Sequence, residues 1–439
     1  MRRTTRSIFR FWAPLAGTWV MMAFEGPYLA AIIARLPNAT YNLAAHGVAV
    51  AVAVLVESPV IMLMSASTAL VRDASGYRTL RNFAALMCAV ATAGMALVVL
   101  PPVARLFLHT LVGLPDDLTE LTRRALVLLL PWPAAIGYRR FYQGLLIRGG
   151  STRLVAAGTL VRLGTMTTVG LTLALAGVLP GAMVGAAALS SGVIVEAIVA
   201  RTMARATVRT ILAQPAGDRG MRYRDVAIFY APLALTSVVG LTIDPMLTFF
   251  MGRSRLPVVS LALYPVVDAF SFLFRALGLS FQEAAIALLG DDLEHLRAVK
   301  RFALGLGGAA TAGLALMVAT PLAGIWYHHA AGLTSELARY AIAPTVVLVV
   351  MPALTVWLSF QRGVLVKAGR TPAITISTAV EVAGVAVAFV LLDKFTGSIG
   401  VTVAMAAFVV GRAAGVVTLL RSSAGARRSR KLDPSGVTT

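Results

Sequence analysis

Four ionisable side chains stand in the middle of long apolar runs: Glu57 in "AVAVLVESPVIMLM", Arg162, Arg275 and Glu381. An ionised group near the centre of a bilayer costs ~2.5–3.5 kcal/mol on insertion scales, so such groups face a bundle interior or water and mark pathways. Position 57 plus 218 is Arg275, and position 162 plus 219 is Glu381. Two pairs of related positions therefore carry opposite charges, and the chemistry this suits is ion pairing, gating and solute binding. Glu57 and Arg275, at similar depth, would pair across a cleft as a gate or binding element. The alternative is an ion pair held inside one lobe, or two separate contacts that snorkel to the interface. For Arg162 and Glu381 packing within their own lobes is the expectation.

Further candidates follow from spacing. Tyr264, Asp268, Arg275 and Gln282 are 4, 7 and 7 residues apart and share one helical face. That face reads as cavity lining, with Asp268 as a candidate proton carrier, or else as a polar stripe against a neighbouring helix. Arg139 and Arg140 in "YRRFYQG" either meet an anionic substrate entering from inside or snorkel to headgroups. Glu196 and Glu283 lie nearer span ends, where a carboxylate has cheaper escapes. The single cysteine, Cys88, leaves no disulfide or multi-cysteine metal site within one chain, and the five histidines have no zinc-ligand spacing. No metal and no cofactor are expected. No G-x-x-x-x-G-K-S/T string occurs, so energy would come from a gradient, with H+ or Na+ as coupling ion, or from a partner subunit. "GDDLEH" is the nearest approach to an aspartate-rich prenyl-transfer site, and an enzyme is not expected.

The elements that must position these residues are membrane helices. Of 439 residues 58% are hydrophobic and 13% charged, and the mean hydropathy is +0.82; soluble domains run near 45–50% apolar and about 25% charged. A span needs about 20 residues, and twelve such runs appear, near 9–36, 43–70, 82–108, 121–147, 154–178, 181–203, 226–251, 257–289, 302–327, 337–366, 372–393 and 398–420. With both termini cytoplasmic, "MRRTTRSIFR", Arg72, Arg78, Arg81, "RGGSTR", residues 201–224, Lys367 and "RRSRK" all fall on one side. The positive-inside rule thus absorbs most of the formal net charge of +20. No nucleic acid is implied; membrane lipid is the expected neighbour, in a cell inner (plasma) membrane.

The chain also repeats itself. "FYQGLLIRGGSTR" returns as "FQRGVLVKAGRTP", with Gly144 and Gly363 219 residues apart, and "FRFWAPLA" returns as "AIFYAPLA". Pro14 and Pro232, Pro27 and Pro245, Arg35 and Arg253, and Asp73 and Asp291 keep an offset of 218; Phe83 and Phe302, and Pro133 and Pro352, keep 219. The expected organisation is a six-helix lobe over 1–203, a basic connection over 204–225, a second six-helix lobe over 226–420 and a basic, disordered cytoplasmic tail over 421–439. Six spans per half make the two halves parallel repeats. The expected fold is thus all-α and polytopic, twelve helices in two parallel lobes around a central cleft, in a chain that functions as a monomer.

Two such halves, each with a proline and an acidic residue in its first helix ("FEGPYLAAIIARL", "IDPMLTFFMGR") and a Leu-x-Arg/Lys-x-Gly-x-Thr signature preceded by glycine after its fourth, resemble the MATE branch of the MOP exporter superfamily. A second similarity, through "ELTRRALVLLLPWP" and "IDPMLTFFMGRS", is to its ANK-type (progressive ankylosis) branch. The resemblance implies a secondary active exporter working by alternating access, with Glu25 as the coupling carboxylate of the first helix and Asp244 as its repeat partner. Glu-Gly-Pro stands where the family commonly has Asp-Thr. The expected cargo is a small organic solute, anionic or zwitterionic; the alternatives are a multidrug cation antiporter and a flippase for a lipid-linked molecule.

Overall fold

The computed structural model describes residues 4–214, 221–290, 293–368, 370 and 372–432. Asp291, the repeat mate of Asp73, lies outside them, as do residues 215–220 of the connection and 433–439 of the tail.

The described residues form helices and no strand. In chain order the first half holds α1 (Thr5–Ala23), α2 (Glu25–Ala34), α3 (Ala39–Glu57), α4 (Leu63–Leu70), α5 (Ala74–Val99), α6 (Pro101–Ala104), α7 (Asp116–Leu128), α8 (Trp132–Arg148), α9 (Thr152–Ala176), α10 (Gly181–Met203) and α11 (Arg205–Leu212). The second half holds α12 (Tyr223–Leu241), α13 (Ile243–Met251), α14 (Pro257–Leu288), α15 (Leu296–Ala319), α16 (Leu322–Ile325), α17 (Ser335–Val347), α18 (Met351–Lys367), α19 (Pro372–Thr396) and α20 (Gly400–Leu432). Eleven stretches among the described residues are long and apolar enough to cross a membrane. The run expected at 121–147 is the α7–α8 pair, whose Arg123, Arg124, Arg139 and Arg140 dilute its hydropathy. The protein is a multi-pass membrane protein.

The duplication is written into the helix ends. α8 and α18 begin 219 residues apart (351 − 132) and end 219 apart (367 − 148), while α1 and α12 keep 218 at both ends. Asn38 and Leu256, also 218 apart, both take left-handed backbone (φ 55° and 52°) just before α3 and α14. A leucine is costly there, since its Cβ crowds the backbone, so the turn geometry has persisted where the residue type has not. The quoted double motif ends α8 and α18 in the same way: Ser151 N–H donates to Leu146 O at 2.8 Å, and Arg370 N–H to Leu365 O at 2.9 Å.

Prolines fix where the spans break. Pro27 and Pro245 lack the N–H that would bond four residues back, and each sits in the first turn of the helix that follows the break at Phe24 or Thr242. Pro59 lies in the turn just past Glu57, so the second span is α3 and α4 rather than one helix over 43–70; the Leu55 carbonyl is satisfied by the Ser58 N–H and hydroxyl instead, at 3.3 and 2.6 Å. Its counterpart α14 carries Pro265 within an unbroken 32-residue helix. Glu57 therefore ends a helix, while Arg275 lies inside one.

Two compact units make up the chain. The first comprises Met1–Tyr28, Ser254–Leu256 and Leu263–Thr439; the second comprises Leu29–Arg253 and Pro257–Ala262. In the first unit Ile8, Trp12 and Ala16 of α1 join a core with Phe281, Phe302 and Phe360. There the Trp12 indole donates to Ser280 Oγ at 2.9 Å and its ring lies edge-on to Phe302 at 5.7 Å. In the second unit Tyr230 of α12, 218 residues after Trp12, donates to Pro59 O and meets Phe83 edge-on at 5.3 Å. The leading helix of each repeat is thus anchored by a matching aromatic to helices of the other repeat.

Candidate functional site

In the second unit α8, α9 and α10 meet around Glu196, whose side chain is fully buried. Arg139 Nη1 lies 2.6 Å from Glu196 Oε2, Gln143 Nε2 donates to Oε1 at 3.1 Å, and Arg162 Nε stands 3.5 Å from Oε2. Gly192 allows this closeness, because a Cβ there would lie 3.1 Å from the Arg162 carbonyl of α9. Arg140 and Glu57 complete the group within electrostatic reach of the same arginines. By formal charge three arginines, Arg139, Arg140 and Arg162, face two carboxylates, Glu57 and Glu196, a net of +1. Among the described residues, Glu57 Oε2 and the Nε atoms of Arg139 and Arg140 are buried without a hydrogen-bond partner.

The first unit holds its own cluster on α14, α18, α19 and α20. Arg275 Nη2 lies 2.5 Å from Asp268 Oδ1. Arg412 Nε lies 2.6 Å from Glu381 Oε1, and Arg362 Nη2 donates to Thr378 Oγ1 at 3.3 Å. Gly411, 219 residues after Gly192, lets α20 close on α19; a Cβ there would lie 2.6 Å from the Glu381 carbonyl. The guanidiniums of Arg275 and Arg412 both stand over the Phe408 ring, at 5.3 and 5.2 Å, each a favourable approach to the ring's negative face. Again three arginines face two carboxylates, for a net +1. The Nε atoms of Arg275 and Arg362 have no hydrogen-bond partner among the described residues.

These are related sites in which the sign is exchanged at two positions while the net charge stays +1. Glu57 of one corresponds to Arg275 of the other, Arg162 to Glu381, and Gln143 to Arg362 (362 − 143 = 219). Glu196 and Arg412 serve the same role from α10 and α20. Burying an ion costs several kcal/mol unless it is paired and hydrogen-bonded, so an inverted copy is workable only if partner charges invert together.

The remaining sequence candidates fall around these centres. Glu25 opens α2 in the first unit, at the bend where Gly26 meets α14; a Cβ on Gly26 would lie 2.9 Å from the Ala269 Cβ, next to Asp268. Asp244 lies in the first turn of α13 in the second unit, which packs on α3. Tyr264 is buried and Gln282 half-buried on α14. Glu57 belongs to the second unit and Arg275 to the first. Glu196, near a span end by sequence, is at the centre of its cluster, and Arg362 and Arg412 join the candidates only through the structure. The offset from Gln143 was the available signal for Arg362. His109 and His328, also 219 apart, each set Nδ1 against a leucine carbonyl, Leu114 at 2.8 Å and Leu333 at 3.0 Å, at matching π-helical turns.

No protein-family model and no curated protein matches the sequence. Solved structures do match in fold. The chain is similar to a multidrug resistance MATE family transporter of the MOP superfamily in an inward-facing conformation, with TM-score 0.72, 13% identity and 96% of each chain covered. It is similar to the lipid II flippase MurJ, inward closed, with TM-score 0.67, 15% identity, and coverage of 93% of this chain and 86% of that one. A third similar structure is a MOP superfamily transporter from Pyrococcus furiosus for which a reversed polarity of the binding pocket suggests a different function; its TM-score is 0.66 at 16% identity, with 97% of each chain covered. The fold is that of MATE-type transporters of the MOP superfamily.

Proposed function

We propose that this chain is a secondary active transporter that moves a small anionic or zwitterionic organic solute by alternating access, driven by a proton or sodium gradient, in an inner (plasma) membrane with both termini cytoplasmic. The observation that carries the reading is the buried cluster in each unit, three arginines against two carboxylates with guanidinium Nε donors unused. A net positive, desolvated cluster attracts a carboxylate or phosphate, and arginine's planar fork binds either group bidentately. A lipophilic cation has no surplus negative charge to meet in either cluster. Glu25, Asp244 and Asp268 are then the candidates for coupling, Asp268 because it competes with any incoming anion for the guanidinium of its partner Arg275. The likeness to the Pyrococcus furiosus protein supports the premise that this fold accommodates pockets of different polarity.

Reconstitution in liposomes tests this. Labelled citrate, ATP and a lipophilic cation dye are offered under an imposed pH or sodium gradient, with Arg275→Ala and Glu57→Gln beside the parent. Gradient-driven anion movement lost in Arg275→Ala supports the proposal. Cation movement that survives Arg275→Ala and fails in Glu57→Gln overturns it.

A further inference from the structure

The second unit has a cavity that the charge cluster does not use. It measures about 820 Å³ and lies among α5, α8 and α10, within the roughly 300–1,000 Å³ typical of ligand pockets. Arg139 and Glu196 do not line it; Tyr138, Phe141, Ala197 and Ile198 of the same two helices do. The lining includes two cations, Arg81 and Arg201, and no carboxylate.

Its polarity is graded along its length. At one end the Arg81 guanidinium stands 5.9 Å from the Tyr77 ring centre. Arg201 lies against the Tyr138 hydroxyl, and Tyr138 and Tyr142 have ring centres 4.8 Å apart. The other end is lined by Ala85, Ala89, Thr92, Pro131 and Ala135. On α5 the lining runs from Tyr77 to Thr92 on one face, about 22 Å at 1.5 Å per residue. One leaflet's hydrocarbon is about 15 Å deep, so the trough is long enough for an acyl chain. The mouth is at the lipid-facing surface: Ala85 and Ala89 are exposed, Ile198 is 57% exposed, and the neighbouring Leu86 and Val90 are 59% and 58% exposed.

We infer that this cavity is a binding site for an anionic phospholipid of the leaflet that holds the N-terminal end of α5. Its phosphate lies between Arg81 and Arg201 and accepts from the tyrosine hydroxyls, and one acyl chain follows the trough past Ala85, Ala89 and Ala135. A headgroup with net negative charge is selected because both cations lack an acidic partner in the lining. The site is independent of the transport reading. It gives α8 and α10, which hold Arg139 and Glu196, a lipid for a neighbour where their packing leaves a gap.

The test uses the full-length protein and needs no knowledge of cargo. Native mass spectrometry from mixed micelles compares retention of phosphatidylglycerol with that of phosphatidylcholine of the same chains. Two arginines near a headgroup predict a preference of about 30-fold. The preference should fall to near unity in Arg81→Ala/Arg201→Ala, and Ala89→Trp, which fills the trough, should lose both lipids. Arg205→Ala/Arg209→Ala, on α11 outside the cavity, should keep the preference. Cys88, the chain's only cysteine, lines the cavity and gives a readout without any substitution: phosphatidylglycerol nanodiscs should slow its reaction with N-ethylmaleimide relative to phosphatidylcholine nanodiscs. Equal retention of the two lipids, a preference that survives the Arg81/Arg201 change, or equal Cys88 labelling rates would each overturn the inference. So would a dimer in which a second copy, not lipid, protects Cys88.

Discussion

Replacing Glu196 with glutamine should be among the most damaging isosteric changes available to this chain. The side chain is fully buried and holds Arg139 at 2.6 Å, Gln143 at 3.1 Å and Arg162 at 3.5 Å. Glutamine preserves the volume but takes the cluster from net +1 to net +2, leaving three arginines with Glu57 alone. Removing one partner of a buried pair costs about 3–5 kcal/mol, because the other charge stays desolvated. The double change Glu196→Gln/Arg139→Gln restores the net charge of +1 and should cost on the order of 1 kcal/mol, so the two sites should couple by about 2 kcal/mol or more. Reversible unfolding in SDS, followed by the fluorescence of the buried Trp132 on α8, gives these differences. Asp117→Asn, on an exposed carboxylate, is the control and should move stability by less than about 0.5 kcal/mol. If Glu196→Gln costs under ~1 kcal/mol, or the two changes add without coupling, the electrostatic account of the cluster is wrong.

Glycines at helix crossings give a second set of expectations. Gly144→Ala puts a Cβ 1.8 Å from Ser67 Oγ and 2.4 Å from the Met64 carbonyl, so α8 must move off α4 at a cost of about 1–3 kcal/mol or more. Gly164→Ala meets nothing within 4 Å and should instead gain up to ~1 kcal/mol from helix propensity; the same SDS titration separates the signs. Tyr230→Phe removes the hydrogen bond to Pro59 O and should lose about 1 kcal/mol. Ahead of the fourth span, hydrogen bonds from Arg123 and Arg124 hold the Glu120 carboxyl down at about 2. A carboxylate depressed in this way stabilises above its ordinary range, and that contribution disappears as pH falls through about 2. Because the group is 44% exposed, Glu120→Gln should cost at most ~1 kcal/mol at pH 7, with the difference from the parent shrinking as pH falls from the ordinary carboxylate range toward 2.

Much of the fold was legible because two signals reinforced each other. Apolar length set the spans, and the offset of 218–219 recurred in helix ends that no composition argument addresses, such as the common ends of α8 and α18. The prolines were visible, yet their effect was not uniform: Pro27, Pro245 and Pro59 accompany breaks, while Pro265 lies within α14. Whether a proline breaks a helix depends on what satisfies the freed carbonyl, as Ser58 does for Leu55, and sequence spacing does not reveal that. The candidate site was read in part. Charges at repeat-related positions identified Glu57, Arg162, Arg275 and Glu381, but their short-range partners come from helices that meet only in three dimensions. Distance to a span end puts Glu196 where a carboxylate has cheaper escapes, but α10 is buried there against Arg139 and Arg162. The repeat offset does not point to Arg412, which stands one turn before the position equivalent to Glu196 (415 − 412 = 3), although Gly192 and Gly411 mark the same crossing.

Solute counterflow tests the central claim most directly, since it needs neither a gradient nor knowledge of the coupling ion. Proteoliposomes preloaded with unlabelled citrate or unlabelled tetraphenylphosphonium are diluted into trace amounts of the same labelled solute, with Arg139→Gln and Arg412→Gln measured beside the parent. The account predicts transient accumulation of the anion, reduced in both variants, and none of the cation. Accumulation of the cation, undiminished when either arginine is neutralised, would contradict it.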